Sequence, residues 1–497
     1  AGPIRRERRV STHEKATKLV HGTFSKVADH RQVDTDRDLP MSVPGDFEVA
    51  VVGDVVITRP ISQLTDPKVQ AALEPVRSAD FAIANLEQTI ANWREFEGHH
   101  YGIPSFLVMA DPAVADDLAE IGFDVMSRAN NRLSDFGPEG NRQTDAHLRR
   151  VGIVPVGYGE HLAEARAPAY ADISKGRVGV VSLTSSANHG QDRVFGAGAR
   201  IANSNGRPGA NNIRVSRTVK LPTESWERLR QFALEHDYAF PGPFVVQPTV
   251  MVFEDRFQLH DTWYEKGDEP GYSYRIHPDD LSDVLRSTRN AALFSNYTIV
   301  TIHAHQWTID PSNPQGGLSG ETPHPPDFLI ELAHDAIDNG ADLFFVHGPF
   351  DFRAIEIYRG KPIFYGIGCF LRQAYMQELI AWETYRGTAF GDQNPETINP
   401  YATETTDAEL LAARTARHPS FYFEGATAIC RYHDSELSEI VLHPVDLGFR
   451  GNHADFGTPR AASPEVAERI FDRIAATSAP FGTSLDLRDG VGIVKID

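Results

Sequence analysis

The chain has 497 residues, of which 41% are hydrophobic and 23% are charged. These proportions are typical of a globular protein and exclude collagen-like, coiled-coil and disordered chains. The formal net charge of −20 argues against nucleic acid and membrane surfaces as partners, because an acidic surface repels their phosphate groups. At ~100–200 residues per domain, the length allows two to four domains or one large domain with insertions.

The two cysteines, Cys369 and Cys430, are too few for a disulfide framework and indicate reduced thiols in a reducing compartment. No run approaches 18 consecutive apolar residues, so we expect no membrane-spanning helix. The basic N-terminus lacks the apolar run of a signal peptide. Earlier removal of a leader sequence is left open. We therefore expect a cytoplasmic protein, and the sequence leaves a homo-oligomer open.

The first half of the chain alternates between two kinds of segment. Residues 1–45 are charged and without periodicity, which predicts an N-terminal arm. A β-branched run then ends in Gly53-Asp54 and predicts a buried strand. Between 46 and 185, such strands alternate with amphipathic helices, which predicts β-α-β units around a sheet covered on both faces. The predicted strands lie at 81–84, 123–127, 153–156 and 177–183, and the helices begin near 66, 111 and 138.

Two insertions interrupt this pattern. Residues 186–292 contain many Gly, Asn, Pro and aromatic residues and few clear strands, which predicts an insertion lining the substrate pocket. The alternation resumes over 293–373, with strands at 297–303 and 342–346 and a helix near 327–338. Residues 374–420 predict a second insertion, and residues 421–497 predict strands and a helix that complete the core. The fold class is therefore α/β.

Five strand ends carry side chains that suit a metal ion. Because sites in open α/β sheets form at the carboxyl ends of the strands, we expect these side chains to share one site. Carboxylate, amide and imidazole ligands together favour Zn, Mn or Fe over a thiolate site. One such residue alone is more often a cap or a surface group, but five in register predict a divalent transition metal. They are Asp54, Glu87, Asn131, His303 and His347.

The segments that carry these residues resemble the CapA family, which is named for capsule and poly-γ-glutamate synthesis. The resemblance covers residues 46–185 and 293–370. It implies a layered sandwich of the calcineurin-like metallophosphoesterase type. The similar segments are GDVVITR (53–59), ANLEQTI (84–90), SRANNRLSDFG (127–137), TIHAHQW (301–307) and DLFFVHGPFDFRAIEIYRGKPIFYGIG (342–368).

The resemblance also implies individual roles. Asp54 corresponds to the first acidic ligand, Glu87 to the carboxylate that bridges or anchors the metals, and Asn131 to the amide ligand. His303 corresponds to the strand-end histidine, and His347 to the first histidine of the Gly-His-x-Pro-His motif.

Three positions depart from the family pattern. The acid/base histidine that follows Asn-Asn in the family is Arg132 here, the second motif histidine is Phe350, and the glycine before the first motif histidine is Val346. Both ions of a two-metal phosphoesterase bind the reacting oxygens. Loss of an imidazole ligand weakens the binding of one of these ions. We therefore predict a single metal on Glu87, Asn131, His303 and His347, with Asp54 as a further ligand or as a base on bound water.

Other side chains are candidates for the same edge. His305 lies two residues after His303 and faces the same side in a strand, so it is either a ligand or catalytic group or a residue that lines the pocket. His189 in the first insertion is a candidate for substrate binding, with a local hydrophobic cluster as the alternative. Arginine holds carboxylate or phosphate at two points, so an anionic substrate is expected, while a surface salt bridge is the alternative for Arg132. The candidate arginines are Arg59, Arg128, Arg132 and Arg353.

The residues and the resemblance together predict a metal-dependent enzyme that hydrolyses an amide, ester or phosphoester bond in a small, anionic organic molecule. The metal would act as a Lewis acid or lower the pKa of its bound water. A metal-dependent lyase acting on an aromatic or hydroxylated small molecule is one alternative. An accessory protein of poly-γ-glutamate or capsule synthesis is another, and a metal-free binding domain is the third.

Overall fold

The computed structural model describes residues 41–101, 107–186, 195–236, 250–259, 262–308, 324–374, 403–406, 409–410, 420–448 and 455–496. The predictions for the arm before residue 41, for His189 and for most of the second insertion lie outside these residues. Within them the α/β prediction is confirmed, because strands and helices alternate along the chain and build a layered sandwich.

Two mixed sheets form the centre of the molecule. Two strands of the larger sheet branch from its main path, since Cys369–Arg372 pairs with Asp46–Val56 and Arg460–Ala461 pairs with Glu436–Asp446. The main path runs Leu485–Arg488, Val491–Lys495, Glu436–Asp446, Glu424–His433, Asp46–Val56, Phe81–Leu86, Val125–Ser127 and Val154–Val156. The smaller sheet runs Ile355–Tyr358, Lys361–Phe364, Leu343–His347, Tyr297–His303, Gly176–Thr184 and Ala169–Ile173.

Helices cover the outer faces of both sheets. The first begins where the sequence predicted, because Asp66 caps it by accepting a hydrogen bond from the Lys68 N–H (2.9 Å) and Pro67 occupies its first turn. The α-helices are Pro67–Ser78, Ala113–Ile121, Gly137–Arg150, Leu162–Ala165, Thr223–Glu235, Pro278–Leu293, Asp327–Asp338 and Pro464–Ser478. Short 3-10 helices lie at Asn131–Ser134, Ser420–Phe423 and Ala479–Phe481.

Alternation along the strands explains how the layers pack. Val49 and Val51 point into the core between the two sheets, where Ile299 of the smaller sheet joins them. Their neighbours Ala50 and Val52 point the other way, into the core beneath the helices. Successive side chains of a strand face opposite sides, so each central strand is apolar on both faces and serves two cores.

The first insertion contains more regular structure than the sequence predicted. It holds the helix Thr223–Glu235 and a five-stranded sheet, the insertion sheet, which runs Val250–Val252, Arg256–Leu259, Thr262–Lys266, Val215–Leu221 and Gly271–Ile276. The prediction of few strands is therefore wrong. Most of these strands are half exposed and rich in charged residues, so they lack the apolar runs that mark buried strands.

Strand register brings the polar strand ends together. Asp54 pairs with Asn85 on the neighbouring parallel strand, and Asn85 pairs with Ser127 on the next one. On the smaller sheet His303 pairs with His347, again between parallel strands. Two two-residue ladders lie nearby, Thr89–Ile90 with Met109–Ala110 and Tyr158–Gly159 with Gly209–Ala210. The carboxyl ends of both sheets therefore meet at one edge.

Candidate functional site

Two triads of metal-type side chains share one histidine. Asp54, His303 and His347 form the first, and Glu87, His303 and His305 form the second, with the ligand atoms of each triad within 4.8 Å of one another. The predicted ligands thus lie at one site, but they divide between two triads. His305, for which the sequence left a ligand, a catalytic and a pocket-lining role open, belongs to the second triad.

His303 presents a different nitrogen to each triad. Its Nδ1 lies 3.0 Å from Nδ1 of His347 and 3.9 Å from Oδ1 of Asp54. Its Nε2 lies 3.0 Å from Nε2 of His305 and 3.9 Å from Oε1 of Glu87. A neutral imidazole has one lone pair, so His303 can be a ligand in one triad at a time.

The first triad is enclosed and its polar atoms have partners. Asp54 is 1% exposed, and it accepts hydrogen bonds from the Asn85 amide (2.7 Å) and from the Gly348 N–H (3.1 Å). Nε2 of His347 lies 3.2 Å from Oγ of Ser127. These contacts fix Asp54 and His347 rigidly and leave little access for a substrate.

The second triad is less buried than the first, and two acceptor atoms at this triad make no hydrogen bond among the described residues. Oε1 of Glu87 and Oδ1 of Asn131 are buried, and neither has a hydrogen-bond partner among the described residues. Nδ2 of Asn131 lies 3.3 Å from Nε2 of His305, which is half-buried. Ligand atoms bound at ~2.0–2.2 Å to one ion lie at most ~4.4 Å apart. The 3.0 Å and 3.9 Å separations around Nε2 of His303 therefore fit a divalent metal.

Burial dominates the electrostatics of the site. It raises the pKa of Asp54 well above the ordinary value, and the nearby charge of Glu87 raises it further. Burial also raises the pKa of Glu87, against the opposing charge of Arg132. Burial and the neighbouring histidines lower the pKa of His303 well below its ordinary value, as burial and His305 do for His347. The histidines are consequently held as neutral imidazoles, the form that binds metals.

Two arginines face the carboxylates. Nε of Arg132 lies 3.8 Å from Oε1 of Glu87, and its side chain is 19% exposed. Arg372, which sequence reasoning did not single out, carries positive charge toward both Asp54 and Glu87. Its guanidinium lies 3.9 Å from the ring centroid of Phe350. Arg372 ends the strand beside Asp46–Val56, and its sequence context of Cys369-Phe-Leu gave no sign of a site.

The other predicted arginines have different surroundings. Arg128 is 1% exposed, and it donates to the carbonyls of Leu86 and Gln88 and to the side chains of Asn141 and Asp145. These contacts use its guanidinium inside the fold, so its position gives the substrate-binding prediction no support.

Arg353 and Arg59 also differ from each other. Arg353 is fully buried, and its Nη1 donates to the Gln306 carbonyl (3.4 Å), on the loop that follows His303. It lies behind that loop and supports it. Arg59 is exposed at the edge, and its backbone N–H donates to the Gln373 side chain (3.0 Å). Of the four predicted arginines, Arg132 has the position best suited to meet a substrate.

Two asparagines that sequence reasoning missed connect the strand ends. The Asn130 amide donates to the Asn85 side chain (2.9 Å) and to the Leu86 carbonyl (2.8 Å), while its own oxygen accepts from the Arg132 N–H (3.0 Å). They precede the predicted ligands Glu87 and Asn131 closely in sequence. Their positions inside the same motifs were the signal that could have identified them.

The segments that form the site lie within a region that is similar to known proteins. Residues 48–374 match the family described as Bacterial capsule synthesis protein PGA_cap. The uncharacterized protein y4sH of Sinorhizobium fredii is 32% identical over 90% of this chain and 93% of its own length. A probable polyglutamine synthesis accessory protein of Mycobacterium tuberculosis is 26% identical over 59% of this chain and 55% of its own. The capsule biosynthesis protein CapA of Bacillus anthracis is 21% identical over 27% of this chain and 34% of its own.

Helix length and hydropathy bear on the membrane prediction. In the part of the chain that the structure describes, every helix is too short or too polar to cross a bilayer. Cys369 and Cys430 are both buried and form no disulfide bond.

Proposed function

Because the chain belongs to the family Bacterial capsule synthesis protein PGA_cap, we propose that it is a metal-dependent hydrolase that acts on a small, anionic organic substrate at the His303 centre. The observation that carries this proposal is a pair of buried acceptors, Glu87 Oε1 and Asn131 Oδ1, which make no hydrogen bond among the described residues and lie beside His303 and His305. Buried polar atoms without partners are rare in folded proteins and call for an explanation, and an ion is one.

The second triad is the better candidate for the ligands. Glu87, His303 and His305, with Asn131, would hold one divalent metal such as Zn, Mn or Fe. His303 would carry its proton on Nδ1 and donate it to Nδ1 of His347 (3.0 Å), which leaves the Nε2 lone pair for the ion. In this arrangement His347 and Asp54 orient His303 from behind.

The residues around this centre have separate tasks. When bound, the metal supplies Lewis-acid polarisation of the substrate's acyl or phosphoryl oxygen. Arg132 binds the substrate anion beside Glu87, and Arg372 adds a second positive charge near Glu87. Asp54 is enclosed, so we assign it to orienting His303 and not to proton transfer with the substrate.

A panel of chromogenic esters and one anilide tests the reaction class. The metal-replete protein is assayed with p-nitrophenyl acetate, p-nitrophenyl phosphate, bis-p-nitrophenyl phosphate and γ-glutamyl p-nitroanilide. We expect turnover of at least one compound, its loss in Glu87→Ala and its retention in His334→Ala, a matched histidine variant whose side chain pairs with Glu356 outside the site. Turnover of none of these compounds would contradict the hydrolase proposal.

The names of two relatives favour a second candidate, an accessory role in assembling a polymer, since one is called a polyglutamine synthesis accessory protein and another a capsule biosynthesis protein. In that case the protein would bind an oligo-glutamate without cleaving it. Mass spectrometry of tetra-γ-glutamate after incubation with the metal-replete protein separates the two candidates. Shortened products support the hydrolase, whereas binding with an unchanged ligand supports the accessory role.

A further inference from the structure

A cavity of about 1120 Å³ lies between the insertion sheet and the core, apart from the two triads. Its lining is strongly basic although the chain as a whole carries a net charge of −20. Asp280 is the single acidic residue among the lining residues. Six arginines line it: Arg166, Arg207, Arg214, Arg217, Arg256 and Arg275.

Only some of these arginines are neutralised by the protein. Asp280 pairs with Arg166 (2.6 Å) and with Arg214 (2.7 Å). Arg275 lies 3.7 Å from Glu265. For Arg207, Arg217 and Arg256, the described part of the chain offers no carboxylate within 4.0 Å, the limit for an ion pair. The cavity therefore keeps an excess of positive charge.

Aromatic rings hold two of these arginines in place. The Arg217 guanidinium lies 4.9 Å from the ring centroid of Tyr272, and that of Arg256 lies 4.9 Å from the ring centroid of Trp263. Stacking fixes the plane of a guanidinium while its N–H groups still point outward. Donors held in this way are suited to carboxylate or phosphate oxygens, which accept at two points.

The cavity reaches the loop that carries the metal-type residues. Gln306, which lines the cavity, directly follows His305 and is fixed by a hydrogen bond from the Ser185 hydroxyl (2.8 Å). The hydroxyl of Tyr274, another lining residue, donates to the Trp307 carbonyl (2.8 Å). One short loop thus borders both the cavity and the second triad.

We propose that this arginine cavity binds the acidic end of a small molecule that carries two or more carboxylate or phosphate groups. Its volume slightly exceeds the range for small-molecule pockets, ~300–1,000 Å³, so an extended ligand fits. That this ligand is the substrate rests on the proposed function, whereas anion binding by the cavity does not.

Calorimetric titration of the full chain with citrate, with inorganic pyrophosphate and with acetate tests the proposal. We expect the two multivalent anions to bind and acetate to bind much more weakly. Arg217→Gln/Arg256→Gln should weaken binding by tenfold or more, because each lost charge-assisted hydrogen bond corresponds to roughly tenfold or more in affinity. The matched control, Arg228→Gln/Arg488→Gln, removes the same charge from exposed side chains outside the lining and should change affinity by less than about twofold.

Two further variants complete the design. His303→Ala, which removes the histidine shared by the triads, should still bind the anions, so failure of the metal chemistry leaves this result intact. Arg217→Lys/Arg256→Lys keeps the charge and should bind with intermediate affinity; it carries the test should the glutamine variant fail to fold. Stronger binding of citrate identifies a carboxylate ligand, and stronger binding of pyrophosphate a phosphate ligand. Absence of binding by either anion, equal loss in the matched control, or loss in His303→Ala alone would overturn the proposal.

Discussion

The imidazole of His303 has a carboxylate and a histidine near each of its two nitrogen atoms. On one side are Asp54 and His347, which are enclosed and hydrogen-bonded, and on the other are Glu87, which is buried, and His305, which is only half-buried. This asymmetry gives the two sides different tasks, because only the open side can bring an ion into contact with a substrate. The strand-end pattern predicted which residues would meet, but it could not predict which side of the ring each would face.

The position of Arg132 beside Glu87 gives the first prediction. Arg132→His should lower kcat/KM roughly ten- to a hundredfold, because a charge-assisted hydrogen bond to the substrate anion is lost. Arg132→Lys should recover little, since an ammonium cannot make the two-point contact. Steady-state kinetics on the compound that the panel identifies measures this. Equal kinetics for the three proteins would show that Arg132 does not touch the substrate.

Asp351 gives a prediction about stability and pH. It is 6% exposed, and burial raises its pKa to about 7, although Arg353 opposes the shift. A raised pKa in the folded state favours the protonated form, so this contribution to stability is fully present below the ordinary pKa of 3.8 and is lost as pH rises toward 7. The free energy of unfolding should therefore fall by ~2–3 kcal/mol between pH 5 and pH 8 through this one group.

Asp351→Asn, whose amide is neutral at every pH, should lack this loss. Urea unfolding of both proteins at pH 5 and pH 8 measures this loss of stability. The free energy of unfolding of the variant should rise relative to that of the wild type at pH 8. Asp472→Asn, on an exposed position of the helix Pro464–Ser478, is the matched control. A difference between wild type and Asp351→Asn that stays constant with pH would contradict the assignment.

At the scale of elements, the strand Asp46–Val56 requires a glycine at position 53 to hold Asp54 in its position. The pairing with Phe81–Leu86 shifts register between Val51 and Asp54, and the Asp54 N–H donates to the Gly368 carbonyl (3.2 Å). A Cβ on Gly53 would lie 1.7 Å from that carbonyl oxygen. Only glycine permits this approach, so the Gly-Asp motif is a packing requirement as well as a chemical one.

Gly53→Ala should therefore lower the melting temperature by several degrees and weaken metal binding, because the two strands must separate where Asp54 is held. Gly271→Ala is the matched control, since a Cβ there would have open space around it. Thermal unfolding followed by circular dichroism measures the first effect, and metal titration the second. Identical behaviour of the two variants would refute a special role for Gly53.

Elements with strong periodicity were predictable, and those without it were not. The helix predicted near 327–338 is observed at Asp327–Asp338, and the strand predicted at 297–303 is observed at Tyr297–His303. The insertion sheet escaped prediction because its strands are half exposed and carry charged residues in place of a continuous apolar run. A local sequence pattern predicts an element where one face of that element is buried. Elsewhere the packing of the whole chain determines the secondary structure.

At the scale of the whole molecule, two sheets close on an apolar core and leave their polar strand ends at one edge. Five of the predicted site residues meet there together with His305, since each ends or follows a strand. The burial of Arg128 and Arg353 could not be predicted, because sequence shows that an arginine lies near an edge but not whether it is buried. Arg372 and the arginine cavity arise from chain segments far apart in sequence, which no local motif could reveal.

The claim that the His303 centre holds one metal is tested most directly by elemental analysis of the purified, metal-replete protein by inductively coupled plasma mass spectrometry. The account predicts one divalent transition metal per chain, with loss of the metal in Glu87→Ala and full occupancy in His334→Ala, both remaining folded by circular dichroism. Wild-type protein with no metal, with two metals at equal occupancy, or with undiminished metal in Glu87→Ala would contradict it.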